Sequence, residues 1–381
     1  FIGGLERMIL NLSKSLKESS VWQPQVLAYD FAPVAGLGTD LISSFQSFEI
    51  PVQSNQKPGR FSWKTVAKIA GHASKSGVTV IHTHDLGALI YGALAKFFLF
   101  KRVRLIHTQH SFVHLNRSWK YRYYEKFFTL FADSIAVVSP DTQKSYLQLG
   151  VPESKLHVIP NGVDFPSEPD LSRAKRIAKR EALTENLPLA PRLQIHSSDF
   201  WILYLARIHG RKGQDHALKL WAEMTPELRK SASLIFVGPE TDPGEQARLE
   251  QLISETPDSN RIMIAGASQS PHEWIKAADL FLSSSEFEGM PLAPVEALGS
   301  GIPAVLSRIP GHEFLENYAS LYPLSEPALG AKAVEFAMES TLDDNEAYRL
   351  ELWEKSKAIR KSFTLSIMSK RYEKLYESGN I

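Results

Sequence analysis

Apolar residues fall into short blocks along this chain, and between the blocks they recur at helical spacing. Blocks of that kind predict strands buried on both faces, alternating with amphipathic helices, which is the signature of parallel βαβ units. The opening helix shows in Met8, Ile9, Leu10, Leu12 and Leu16. A first series of strands is expected near residues 25–29, 47–52, 78–83, 104–107, 134–139 and 156–159, with helices between most of them. A second series begins at Phe200, with strands near 201–206, 233–237, 261–264, 280–283 and 304–307. Between the series, residues 165–199 carry Pro166, Pro169, Pro188 and Pro191 around a basic helix near 171–183, which marks an inter-domain connection. The pattern is of two doubly wound halves with no short-period repeat.

Two loops of the second half carry the candidate chemistry. Glu288-Gly289-Met290-Pro291-Leu292-Ala293-Pro294-Val295-Glu296 follows the apolar strand that ends at Ser283 and leads into a short helix, stopped by Gly299 and Gly301. A helix start is an anion seat, because its first amides are unpaired and lie at the positive end of the helix dipole. Pro291 has no N–H, so Gly289, Met290 and Leu292 are the expected donors. Glu288 would accept hydrogen bonds from sugar hydroxyls, and Glu296 would hold a ribose. Two glutamates on a surface helix would ordinarily be no more than solvated. Upstream, however, Arg207, Arg211 and Lys212 follow the strand Trp201–Ala206 at its carboxyl end, where open α/β sheets bind ligands. Arg offers bidentate phosphate contact and Lys a compact charge, so together they would stabilise a departing diphosphate.

These motifs resemble the retaining glycosyltransferases of the GT-B fold, family four of the sequence classification, also called group 1. Six stretches match in order over nearly the whole chain: Gly3-Gly4-Leu5-Glu6, the two His-bearing strands Val80–His84 and Leu105–His110, Val158–Asp164, the Arg207–Lys212 loop, and Glu288–Glu296. The resemblance implies two Rossmann-like domains facing a cleft. Residues 1–165 would form an acceptor-side domain, with a last helix within 364–381 packing back on it. Residues 166–363, including a linker at 166–199, would bind the nucleotide sugar. It further implies transfer of a hexosyl group from a nucleotide-diphosphate sugar to a glycan or lipid-linked acceptor, with no cofactor and no metal ion. His110, Glu288, Arg207 and Lys212 take the catalytic positions. Gly3, Gly4, Arg211, Gly289, Met290, Leu292 and Glu296 contact the donor. Retention is expected by front-face substitution, in which the leaving phosphate takes the acceptor proton. Two other classes share these features: a GT-B-fold nucleotide-sugar epimerase, and a non-catalytic sugar-nucleotide-binding protein.

Composition narrows the field. A net charge of +1 argues against a dedicated nucleic-acid binder. Zero cysteines exclude disulfides and thiolate metal sites. The most apolar run, Leu86 to Phe100, is interrupted by Lys96 and is too short to span a bilayer. The cysteine count does not fix the compartment; a cytoplasmic enzyme, peripheral at the inner membrane face, is the expectation that accompanies the resemblance. Basic and aromatic residues interleave at 96–102 and 117–124, a pattern suited to an anionic lipid surface. His82, His84, His107 and His110, with Asp85 nearby, raise the alternative of a metal site. Gly3-Gly4 resembles a loop that follows a first strand, yet only Phe1 and Ile2 precede it. About ten further residues, ending in an apolar strand, are expected ahead of Phe1. The slot between the strands near 25–29 and 78–83 would then be empty, filled by another segment, or closed by direct pairing.

Overall fold

The computed structural model describes residues 4–28, 39–54, 61–99, 103–110, 118–165, 172–185, 193–342 and 345–377. The chain falls into two compact units, one of residues 2–164 with 363–381, the other essentially 165–362.

In the first unit, β1 (Val26–Ala28) and β2 (Val52–Ser54) form a parallel pair, and β3 (Val80–His84), β4 (Arg104–Gln109), β5 (Ser134–Val137) and β6 (Leu156–Val158) form a parallel sheet in that order. Among the described residues no strand joins β1 to β3. The side chains of β5 alternate between two cores: Ile135 and Val137 pack with Leu86, Leu89 and Tyr146 on one face, Ala136 with Met8, Leu12 and Tyr372 on the other. Burial on both faces is why β5 reads as a mainly apolar run. Met8, Leu12 and Leu16, on the helix Gly4–Glu18, meet Met368, Tyr372 and Leu375 of the last helix, Leu365–Glu377.

The expected strand at 47–52 is displaced. A helix, Thr39–Ser47, runs up to it and the strand starts only at Val52. Glu49 adopts φ 53°, and the Ile50 N–H returns to the Phe45 carbonyl at 3.0 Å. Phe45 and Ile50 are both buried in a small core, so Ile50, an apolar position inside the expected strand, belongs to the capped end of this helix.

The second unit holds β7 (Phe200–Leu205), β8 (Ala232–Val237), β9 (Ile262–Gly266), β10 (Leu280–Ser283), β11 (Ala304–Ser307) and β12 (Ser320–Tyr322). All pair in parallel, in the spatial order β12-β11-β10-β7-β8-β9. This is the doubly wound order, and it reverses between β7 and β10. One hydrophobic core joins β7, β8 and β10 to Leu220, Trp221 and Val334 of the covering helices. Beneath β10, Asp279 is fully buried and accepts from Arg176 Nε at 3.1 Å, Arg180 Nη2 at 2.5 Å and the Trp201 N–H at 2.9 Å. The helix Arg173–Thr184 is thereby tied to the amino ends of the two central strands.

Candidate active site

Ligands of open parallel sheets bind beyond the carboxyl ends of the strands at the point where strand order reverses. In the second unit that point is shared by two loops, 206–213 after β7 and 284–291 after β10. The chain joins them closely. Gly213 sits at φ 67°, and a Cβ there would lie 2.0 Å from the Ser284 carbonyl oxygen, so glycine alone permits the approach. Tyr204, on β7, donates its hydroxyl to the Lys212 carbonyl and accepts the Ser284 N–H at 2.9 Å. Burial raises the Tyr204 pKa, which keeps the hydroxyl protonated and donating. Tyr322, pushed to about 12 by burial, bonds Ser284 Oγ at 2.7 Å. The Glu286 N–H donates to the Arg211 carbonyl at 3.0 Å.

These constraints bring two of the sequence candidates into contact. Lys212 Nζ lies 2.6 Å from Glu288 Oε1, and the same oxygen accepts from Ser285 Oγ at 2.8 Å. Their side chains are 21% and 13% exposed, so solvent screens the pair only partly. Arg207 is exposed where the chain leaves β7, its carbonyl accepting from Gln214 Nε2 at 2.8 Å. The Arg211 N–H is fixed by His209 Nδ1 at 3.1 Å. Gly289, Met290 and Pro291 form the turn into the helix Leu292–Gly299, with Pro291 as its extended N-cap residue. Leu292 opens that helix and Glu296, half-buried, lies one turn further along.

A third loop, after β11, was not singled out from the sequence. Gly311 presses on the backbone of Glu288: a Cβ there would stand 2.3 Å from the Glu288 carbonyl oxygen. Next to it His312 is fully buried, with Nδ1 at 2.8 Å from the Ser307 carbonyl. That bond makes Nδ1 the donor and leaves Nε2, which has no hydrogen-bond partner among the described residues, as the acceptor nitrogen. Burial lowers the His312 pKa, against the opposing influence of Glu288. Ser307 Oγ closes the cluster by donating to the Ser285 carbonyl at 2.6 Å. The signal in the sequence was only a Pro-Gly-His after a strand, whose meaning rests on contacts with residues more than twenty positions away.

His110 lies in the first unit, just past β4. Its Nε2 is 3.0 Å from His84 Nδ1, and its N–H donates to Asp85 Oδ1 at 3.2 Å. Asp85 holds φ 62°, a left-handed conformation at the start of the helix Asp85–Phe98. His82 bonds Tyr376 and Thr108 at 2.8 and 2.7 Å, and His107 bonds Thr83 and Glu125 at 3.1 and 3.2 Å. The four histidines are thus engaged with hydroxyls, a carboxylate and each other, and among the described residues no group is arranged to hold a metal ion. Burial lowers the His82 pKa to about 3 and that of His110 to about 4, so both rings are neutral. Gly4 begins the described chain with open space where a Cβ would stand; Gly3 lies outside the described residues.

Residues 2–165 match the model of Glycosyltransferase Family 4, and residues 189–349 match that of Glycosyl transferases group 1. The chain belongs to the group 1 glycosyltransferases. It is similar to EpsF of Bacillus subtilis, a protein carrying a glycosyltransferase name, at 25% identity over 80% of this chain and 76% of the relative. It is 25% identical, over 72% of this chain and 69% of the relative, to the Escherichia coli UDP-Gal:alpha-D-GlcNAc-diphosphoundecaprenol alpha-1,3-galactosyltransferase. The crystal structure of Anabaena HepE in complex with UDP and glucose superimposes with a TM-score of 0.80 at 20% identity, over 99% of this chain and 97% of that one. At that identity the likeness carries the fold, which is the GT-B glycosyltransferase fold with two Rossmann-like domains. In this glycosyltransferase, the loops after β7, β10 and β11 converge at the switch point of the second of those domains.

Proposed function

We propose that this group 1 glycosyltransferase moves a hexosyl group from a nucleotide-diphosphate sugar to a glycan or lipid-linked acceptor, with retention at the anomeric carbon and without a metal ion. The observation that carries the reading is the Lys212–Glu288 pair, 2.6 Å apart where strand order reverses. Arg207, Arg211 and Lys212 meet the diphosphate, joined by the amides of Gly289, Met290 and Leu292. Glu288 accepts from hydroxyls of the transferring sugar, Glu296 from the ribose, and His110 contributes a hydrogen bond near the reacting carbon. Gly3 and Gly4 allow backbone close to the phosphates or the acceptor.

In the step itself, the bond from the anomeric carbon to the phosphate oxygen breaks, and the acceptor oxygen bonds to that carbon on the same face. The acceptor proton passes to the departing phosphate oxygen. A double displacement would need a carboxylate directly beneath the anomeric carbon. Glu288 is engaged by Lys212 and Ser285, which suits hydrogen bonding to the sugar rather than attack. The protein then contributes positioning and stabilisation of the leaving diphosphate by fixed cations and amides. In this reading those cations do the work of a divalent ion, so the reaction runs without one. Lipid-linked or nucleotide-sugar partners named for its relatives support a cytoplasmic site of action at the inner membrane face.

The test is nucleotide release from UDP-, GDP- and ADP-sugars in EDTA, with UDP-sugars first because HepE was crystallised with UDP. Acceptor-dependent release with unchanged rate in EDTA is expected. Loss of activity in EDTA that manganese or magnesium restores would overturn the metal-free reaction. A product interconverted without an acceptor would favour the epimerase, and binding with no turnover the non-catalytic binder.

A further inference from the structure

The structure leaves an aromatic face uncovered on the first unit, and its surroundings say what covers it. Half of the large hydrophobic side chains exposed among the described residues lie between positions 97 and 131. On the helix Trp119–Thr129, Trp119 is 74% exposed and Tyr123 60%; with Phe127 they follow one another at i, i+4 spacing along one side. The Tyr123 and Phe127 rings stack at 6.4 Å, and Phe127 meets Phe131 at 5.7 Å. The opposite side of the helix is turned inward by Glu125 and Thr129, both buried. Glu125 is held there by His107 at 3.2 Å and by the Tyr146 hydroxyl. Lys96, near the end of the helix Asp85–Phe98, donates to the Phe131 carbonyl at 3.1 Å and extends the face to Phe97, 69% exposed.

Charge selects the occupant. Glu125 is the one acidic residue of Trp119–Thr129 and it is withdrawn into the core, while Lys120, Arg122 and Lys126 are exposed beside the rings. Asp133, at the end of the patch, is neutralised by Lys96 at 2.5 Å. The outer surface of this helix is therefore aromatic and cationic only. Trp and Tyr rings with polar tips, bordered by Lys and Arg, match the headgroup region of a bilayer rather than a dry protein core. Anionic headgroups would satisfy the cations that an apolar partner would strand. We propose that the helix Trp119–Thr129, together with the end of Asp85–Phe98, docks this chain onto an anionic lipid surface. No helix of the described residues is long and apolar enough to cross a membrane.

Docking is independent of glycosyl transfer, so vesicle binding and catalysis are read separately. The full chain is sedimented at physiological salt with phosphatidylcholine vesicles, with and without roughly a third phosphatidylglycerol. Binding to the anionic vesicles is expected, at least about tenfold weaker without phosphatidylglycerol. A Trp119→Ser, Tyr123→Ser, Phe127→Ser variant and a Lys120→Glu, Arg122→Glu, Lys126→Glu variant should each lose at least about tenfold in binding while melting like the parent. No binding to anionic vesicles, or equal binding by either variant, overturns the proposal. So does a parent dimer that the serine variant converts to a monomer, which would make a second copy of the chain the occupant.

Discussion

At the scale of single residues, Lys212 and Glu288 are coupled before any ligand is considered. Each contacts the charged or reacting part of the proposed donor, where one electrostatic contact contributes about 3 kcal/mol. Lys212→Ala and Glu288→Gln are each expected to lower kcat/KM at least about tenfold with circular dichroism unchanged. Because the two side chains bond directly, the double variant should fall short of the summed losses. Wild-type turnover in both single variants would remove the assigned site. The histidines of the first unit give a second prediction. The folded pKa of His110 is about 4 and that of His82 about 3, each lowered chiefly by burial, against about 6.5 in the unfolded chain. Between those values the unfolded chain binds more protons. Stability therefore falls as pH drops below about 6.5, by about 1.4 kcal/mol per pH unit for each such histidine, until the folded pKa is reached. Imidazole Cε1 proton resonances of His82 and His110 should not titrate above about pH 5.5, and a midpoint near 6.5 for either would refute the assignment.

At the scale of elements, two arginines of the helix Arg173–Thr184 converge on one buried carboxylate. Asp279 is the shared partner of Arg176 and Arg180, and Arg180 also donates to the carbonyls of Ala277, Ser197 and Asp199 at 2.7, 2.9 and 2.8 Å. Asp279→Asn leaves a buried guanidinium without its counter-charge, and breaking such a pair costs about 3–5 kcal/mol. Urea denaturation should show that loss; a midpoint within error of the parent would mean the pair is replaceable by hydrogen bonds. Much of this architecture is legible in the sequence, because β5, β7 and β8 are mainly apolar on both faces and their helices are not. Other elements are illegible for physical reasons. Ser320–Tyr322 is a short edge strand with Ser320 exposed, so it lacks the apolar run. Phe48, Ile50 and Val52 alternate as in a strand, but Ile50 meets Phe45 across a helix cap that a left-handed Glu49 creates. Arg207, Lys212 and Glu288 stand out by type and by position after strands. Gly311 and His312 do not, since their place beside Glu288 comes from the ordering of β7, β10 and β11 rather than from any local pattern.

At the scale of the whole molecule, the two units differ in how the chain closes them. Residues 165–362 run without interruption and contain Arg207, Arg211, Lys212, Glu288 and Glu296. The first unit is completed only by the end of the chain. Val163 donates to the Phe363 carbonyl at 2.8 Å, and a Cβ on Gly162 would stand 2.8 Å from the Leu365 Cα, so the returning strand of chain is packed tightly. Met368, Tyr372 and Leu375 then bury themselves against Met8, Leu12 and Ile106, while Tyr372 and Tyr376 bond Thr108 and His82 at 3.1 and 2.8 Å. Deleting a single buried side chain of this size costs about 2–5 kcal/mol, and a whole domain is stable by only about 5–15 kcal/mol. A chain ending at Ser362 is therefore expected to lose the folded first unit altogether. Limited proteolysis should digest residues up to about 164 and leave a protected fragment that begins near Phe165. That fragment retains every residue proposed to hold the diphosphate in the second unit, so calorimetry should still detect UDP-sugar binding although transfer is abolished. Resistance of the first unit in the truncated chain would show that the last helix is dispensable, and unfolding of both units together would show that they are one cooperative body.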